Sequence, residues 1–262
     1  MSRRVRRWTI LLAVAGLTAG CTDSSSPGTS PPPATQLTVF AASSLSKAFD
    51  QIGQDFQTLN PGIRVTFDYG SSTELAAQIQ SEGTADVFAS ASGTAMDTVQ
   101  DDPGVSNRTN FATNRLLIIT PPDNPAGIDS LQDLTKDGVQ LVLAAEGVPV
   151  GDYAREVLKN AGILDQALAN VVSNEEDDAS VVGKITSGEA DVAIVYTSDI
   201  AVAGDTVRSV DIPDDVNVTA TYPIAVVTGS PYPDQARAFA SYVTTIEGQD
   251  VLEQFGFGPP GG

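Results

Sequence analysis

An α/β fold, with mostly parallel sheets flanked by helices, is predicted by three observations. Short apolar, strand-like runs alternate with segments whose apolar residues recur every three or four positions. Glycine, proline or serine marks nearly every change of period. After a cluster of prolines, Pro121, Pro122 and Pro125, the same alternation starts again. Strands alternating with helices of this length indicate parallel sheets covered on both faces.

Taken in order, "LTVF" (37–40) is the first strand. Leu45, Ala48, Phe49, Ile52 and Phe56 then recur at helical spacing up to "NPG" at 60–62. "IRVTFDY" (63–69) alternates as a half-buried strand, Gly70 ends it, and Ser71 with Glu74 fits a capping box for the next helix. "ADVFAS" (85–90) is a third strand, followed by a helix around 93–100, and "RLLIIT" (115–120) is a fourth. Beyond the prolines come "SLQDL" at 130, the strand "VQLVLA" at 139, and "EGVPVGDYAREVLKNAG" running from loop into helix. "NVVS" at 170, a helix near 178–187 and "DVAIVY" (191–196) follow; "TYPIAVVTG" (221–229) and a helix over 235–244 precede a Gly/Pro tail.

The N-terminus has its own character. Arg3, Arg4, Arg6 and Arg7 precede an apolar run from Trp8 and small residues up to Cys21, so residues 1–20 read as an export signal by the general or the twin-arginine route. "LTAGC" resembles a bacterial lipobox, which makes Cys21 the lipidated first residue and anchors the chain to the outer face of the cell membrane. It is the only cysteine, so an internal disulfide is excluded. Residues 21–36 are rich in Ser, Pro and Gly and read as a tether, and folding is expected from near Leu37.

The charge of the whole chain is −19, and the leader holds four of the 14 basic residues and none of the 33 acidic ones, so the exported part carries about −23. Nucleic acid is an improbable partner for such a chain. There is no histidine, which excludes Ser-His-Asp and Cys-His nucleophile systems and His-ligated zinc, and the acidic stretches lack EF-hand spacing. Asp86, Asp191 and Asp199 lie near strand ends, where carboxylates cap a following helix, and Arg64 and Arg115 read as strand-edge ion pairs.

The first two strands both run into serine pairs, Ser43-Ser44 and Ser71-Ser72. In such sheets ligands bind beyond the strand C-termini, where helix N-termini present free amides. Capping explains one serine turn; for two in succession capping and ligand binding both stay open. Tyr153 and Tyr222 are assigned to packing.

"TVFAASSLSKAF", "YGSSTELAAQI", "ADVFASAS", "GVPVGDYAREVL", "GEADVAIVYTSD" and "YPIAVVTGS" occur in an order that resembles the molybdate-binding proteins of bacterial ABC importers. The resemblance covers nearly the whole chain after the leader. It implies a two-lobed periplasmic-binding-protein fold of type II with a two-crossing hinge: lobe 1 from 37–116 plus 222–262, lobe 2 from 117–221. It implies an oxyanion site of Ser44, Ser72, the backbone amide of Val150, the hydroxyl of Tyr196 and an amide near 177–179. Counting back from Tyr196 puts that amide on Asp178, with Asp177 and Ala179 left open; an aspartate here departs from the apolar residue common in the family.

The function implied is capture of molybdate, and of tungstate, by neutral donors, then delivery to a membrane permease and its ATPase, by a monomer without cofactor, free metal cation or catalytic residue. Both oxyanions are fully deprotonated at neutral pH and offer only acceptors, so a neutral donor pocket suits them. The alternative is the same fold binding another small oxyanion such as sulfate. A secreted serine hydrolase is more remote, because no base accompanies the serines and G-x-S-x-G is absent.

Overall fold

The computed structural model describes residues 34–261. The export leader, Cys21 and the tether up to residue 33 lie outside the described residues. β1 (Thr35–Ala42) opens two residues before Leu37, because Thr35 N–H donates to Gly62 O at 2.8 Å and pairs the strand with its neighbour that early. Its last four residues are all buried, as a strand flanked on both edges and covered on both faces must be.

A 3-10 turn, Ser43–Leu45, leads into α1 (Ser46–Leu59), which buries Ala48, Phe49, Ile52 and Phe56 along one face. β2 (Ile63–Gly70), α2 (Ser72–Glu82), β3 (Val87–Ala89) and α3 (Gly93–Asp101) repeat the unit, and β1 bonds parallel to both β2 and β3. Phe49, Phe56, Phe67 and Phe239 interlock beneath α1 with ring centroids 5.4 to 6.0 Å apart. Each such contact adds about 0.5–1.5 kcal/mol beyond the area it buries. Phe239 belongs to α8 (Pro233–Val243), so the C-terminal segment closes the core of the N-terminal half.

β4 (Val105–Thr120) joins two sheets. Its stretch from Val105 to Arg115 pairs antiparallel with β9 (Thr219–Val227), and its stretch from Leu116 to Thr120 pairs antiparallel with β7 (Val192–Tyr196) and β8 (Arg208–Asp211). Together with β5 (Leu141–Ala144) and β6 (Val171–Glu175) the order is β2-β1-β3-β9-β4-β7-β5-β6, with β8 on β4. The pairings within β-helix-β units are parallel, and those of the two crossing strands are antiparallel. In the second half α4 (Pro149–Asn160), α5 (Leu164–Leu168), α6 (Asp178–Thr186) and α7 (Thr197–Ala203) flank the sheet.

Several elements differ from the sequence reading. The first part of β4 escapes it because Ser106 to Asn110 are all exposed and show no alternation. The predicted Gly/Pro tail instead holds α9 (Ile246–Gln254), which buries only Gly248, Val251 and Leu252 and so carries a weak apolar stripe. Asp86 and Asp191 do not cap helices: their carboxylates accept from Thr38 N and Gln140 N, at 2.8 and 2.9 Å, and tie loops to strands. Arg115 pairs with Asp214 at 2.6 Å on the surface. Among the described residues no helix is long and apolar enough to cross a membrane.

Candidate functional site

Four helical starts converge on one small cavity. From the N-terminal sheet come the turn Ser43–Leu45 after β1 and the start of α2 after β2; from the second sheet come the starts of α4 and α6. Each first turn has amides without an intrahelical acceptor, and the helix dipole makes that end attractive to anions. β7 ends at the cavity with Tyr196, and Ala91 lines it from the loop before α3.

Local sequence explains these starts. Pro149 at N1 of α4 has no N–H to lose and a φ already suited to a helix. Gly151 is required by close packing: a Cβ there would lie 2.3 Å from Ala145 O and 2.5 Å from Ala144 O, both backbone atoms at the end of β5. Pro149 and Gly151 thus fix Val150 in the wall of the cavity. At α6 the Asp177 side chain caps the helix by accepting from Ser180 N at 2.7 Å.

The cavity holds about 10 Å³, on the order of the space for one water, so it suits a compact guest and no extended organic molecule. Among the described residues no lysine or arginine lines it. Two lining side chains, Ser71 Oγ and Tyr196 OH, are buried with no hydrogen-bond partner. Leaving a buried polar group unpaired costs about 1–3 kcal/mol, so two in one cavity mark donors prepared for a guest. Burial, with the nearby Tyr222, Tyr153, Asp178 and Asp199, holds the Tyr196 phenol well above its usual range and keeps it a donor.

Asp178 departs from the expectation of a wholly neutral lining. It is 5 % exposed; its carboxyl accepts from Ser43 Oγ, reaching the turn that follows β1, and also interacts with its own backbone N–H. The carboxyl group of Asp199, also 5 % exposed, lies within hydrogen-bonding reach of it and accepts from Tyr196 N at 2.8 Å. Burial raises the pKa of both above the ordinary carboxylate range, and the charge of Asp178 raises Asp199 further.

All five residues singled out from the sequence, Ser44, Ser72, Val150, Asp178 and Tyr196, line this one cavity, as does Asp177; Ala179 does not. The Ser71 capping box does not form, because the Ser71 hydroxyl makes no bond to its own helix and is instead left unpartnered at the cavity. Ser72 Oγ accepts from Ala91 N at 2.9 Å, which leaves its proton to donate. Tyr222, assigned to packing, is fully buried and also a polar link: its hydroxyl lies 3.0 Å from Ser44 Oγ and 3.4 Å from Asn114 Nδ2. Tyr153 is half-buried against the core. Sequence reasoning missed the free hydroxyl of Ser71 and the pairing of Asp199 with Asp178; the position of Asp199 three residues after Tyr196 was the only available hint.

Comparison with known proteins places this geometry. Residues 37–258 match the family of bacterial extracellular solute-binding proteins. The chain is 40% identical over 254 residues, 95% of each chain, to the molybdate-binding protein ModA of Mycobacterium tuberculosis H37Rv. It is 32% identical over 231 residues, 85% of this chain and 88% of the relative, to ModA of Escherichia coli K12. The periplasmic molybdate-binding protein of Azotobacter vinelandii superposes with a TM-score of 0.74 over 86% of this chain and 100% of that one, at 20% identity, and shows the shared fold. The chain therefore belongs to the family of bacterial extracellular solute-binding proteins.

Proposed function

We propose that this chain is a lipid-anchored, extracytoplasmic binding protein that captures molybdate or tungstate and delivers it to an ABC permease driven by an ATPase. The observation that carries the reading is the pair of buried, unpartnered hydroxyls of Ser71 and Tyr196, contributed by different sheets to one cavity without a cation. The relatives named for molybdate support the choice of ion. Ser44, Ser72, Val150 N–H, Tyr196 OH and a first-turn amide at Asp178 are the proposed donors, and the unpartnered hydroxyl of Ser71 supports it as a further one. Hydrogen bonds to a charged group contribute on the order of 1.5–3 kcal/mol each, so several converging donors can offset dehydration of the ion. The residues hydrogen-bond its oxygens and do not ligate molybdenum; the ion is bound and released unchanged, with no catalytic step.

The division into lobes 37–116 plus 222–262 and 117–221 is supported by β4, which exchanges β9 for β7 and β8 as partners after Arg115. Closure of the two lobes is then the event that brings the donors together. Cys21 supplies the anchor and the protein acts as a monomer.

Calorimetric titration of the purified protein with molybdate, tungstate, sulfate and phosphate tests the reading. Submicromolar binding of molybdate and tungstate alone is expected. Preferential binding of sulfate, or of phosphate, which keeps a proton near neutral pH that the Asp178 carboxyl could accept, would overturn the assignment.

A further inference from the structure

We infer that capture of the anion is coupled to uptake of one proton by the facing carboxyl groups of Asp178 and Asp199, so that the cavity takes its ligand as an anion plus a proton. The inference rests on the reading of the cavity as a molybdate site.

The geometry comes first. The two carboxyl groups sit at the starts of α6 and α7, each 5 % exposed, and both line one small cavity. Two carboxyl groups buried in one wall disfavour ionising together, so the pair favours holding one proton. The surroundings hold it in place. The Ser43 hydroxyl donates to Asp178, and Tyr196 N–H donates to Asp199 Oδ2 at 2.8 Å.

The pair also separates two spaces. Asp178 lines the anion cavity, where Ser71 Oγ and Tyr196 OH are unpartnered and more than nine-tenths buried. Asp178 and Asp199 together line a second cavity of about 100 Å³, walled also by Ser46, Ala179, Val182 and Val202. Ser43 and Ser44 border both. A proton can reach the pair from this second side without crossing the anion's position.

No other group can balance the charge. The titratable groups facing the pair are Asp177 from the cap of α6, Tyr196 from β7 and Tyr222 from β9, with Tyr153 of α4 facing Tyr196. The turn after β1 offers only serines, and the chain contains no histidine. A dianion arriving beside a singly ionised pair meets like charge across a short, poorly screened distance. Binding a second proton from solvent to a carboxylate oxygen removes that repulsion, and no covalent bond of the anion changes. Molybdate cannot bring this proton, since it is fully deprotonated near neutral pH.

The test is titration of the purified protein with sodium molybdate between about pH 6 and about pH 8.5, each pH in two buffers of different ionisation enthalpy. One proton taken up per anion is expected, with affinity falling about tenfold per pH unit across the window between the free and liganded pair's second pKa. Asp178→Asn keeps an acceptor for Ser43 but leaves Asp199 to titrate, whereas the double variant Asp178→Asn/Asp199→Asn leaves no carboxyl in the pair, so in the double variant proton uptake should vanish and affinity should become flat with pH. Binding by the unaltered protein without proton uptake and with flat affinity would overturn the coupling and leave the molybdate reading intact. Uptake that persists unchanged in the double variant would likewise overturn it. Absence of molybdate binding at every pH would overturn the parent reading and the coupling with it.

Discussion

The rings of Tyr196, at the end of β7, and Tyr222, in β9, meet edge-on, with centroids 6.0 Å apart and planes inclined by 67°. Their hydroxyls have opposite roles: that of Tyr196 is unpartnered at the cavity, whereas that of Tyr222 is bonded to Ser44 and Asn114. The Asn114 Nδ2 donates to the Tyr222 oxygen, and either hydroxyl can donate across the Tyr222–Ser44 contact; when Tyr222 donates, the Ser44 proton is free for the cavity.

The two tyrosines should therefore respond differently to loss of the hydroxyl. Tyr196→Phe should weaken molybdate binding by about 1.5–3 kcal/mol while leaving the unliganded protein as stable or slightly more so. Tyr222→Phe should lower stability by about 1–3 kcal/mol, because buried partners are left behind. Thermal melts with and without molybdate separate the two, and equal melting-point losses without ligand would refute the distinction.

The serine pair after β2 gives a parallel contrast. Ser71→Ala removes a hydroxyl that has no partner in the protein, so the expected loss is in affinity, about 1.5–3 kcal/mol, with no loss of stability. Ser72→Ala also removes the acceptor of Ala91 N–H and should lower both affinity and the urea midpoint. A Ser71→Ala protein with unchanged molybdate affinity would remove that hydroxyl from the site.

At the start of α4, Gly151→Ala places a methyl against two backbone oxygens that cannot swing aside. The helix must lift from β5, at a cost of about 1–3 kcal/mol in stability, and carry the Val150 amide with it. Affinity should fall further than in Tyr196→Phe. A variant of normal melting temperature and affinity would show that α4 is not fixed by this contact.

The buried carboxyl pair also predicts a pH dependence of stability. Asp178 and Asp199 have folded-state pKa values raised above their unfolded ones, so between the two the folded state holds more protons than the unfolded state. Stability from this source is greatest below the ordinary carboxylate range and is lost as pH rises toward the folded values. Asp199→Asn should raise the melting temperature more at about pH 8 than at about pH 5; a gain that is larger at the acidic pH would contradict the sign.

Much of this was legible in the sequence for a simple reason. The units β1-α1 and β2-α2 announce themselves because Phe49, Ile52 and Phe56 repeat at helical spacing beside short strands. β8 and α7, with few buried side chains between them, leave no such periodic trace. At the site, Ser44, Ser72, Val150 and Tyr196 stand in the motifs that carry the family resemblance, and that resemblance implied them. The Asn114–Tyr222–Ser44 chain and the Asp178–Asp199 contact join residues distant in sequence or separated by a helix and a strand, and only packing reveals them.

The most direct test of the central claim is a crystal structure of the protein with molybdate, with molybdenum located by its anomalous signal. The account predicts the ion in the cavity between the two sheets, its oxygens within hydrogen-bonding distance of Ser44, Ser71 or Ser72, Val150 N–H and Tyr196 OH, and no lysine or arginine within about 4 Å. A basic side chain touching the ion, or molybdenum bound away from these residues, would contradict it.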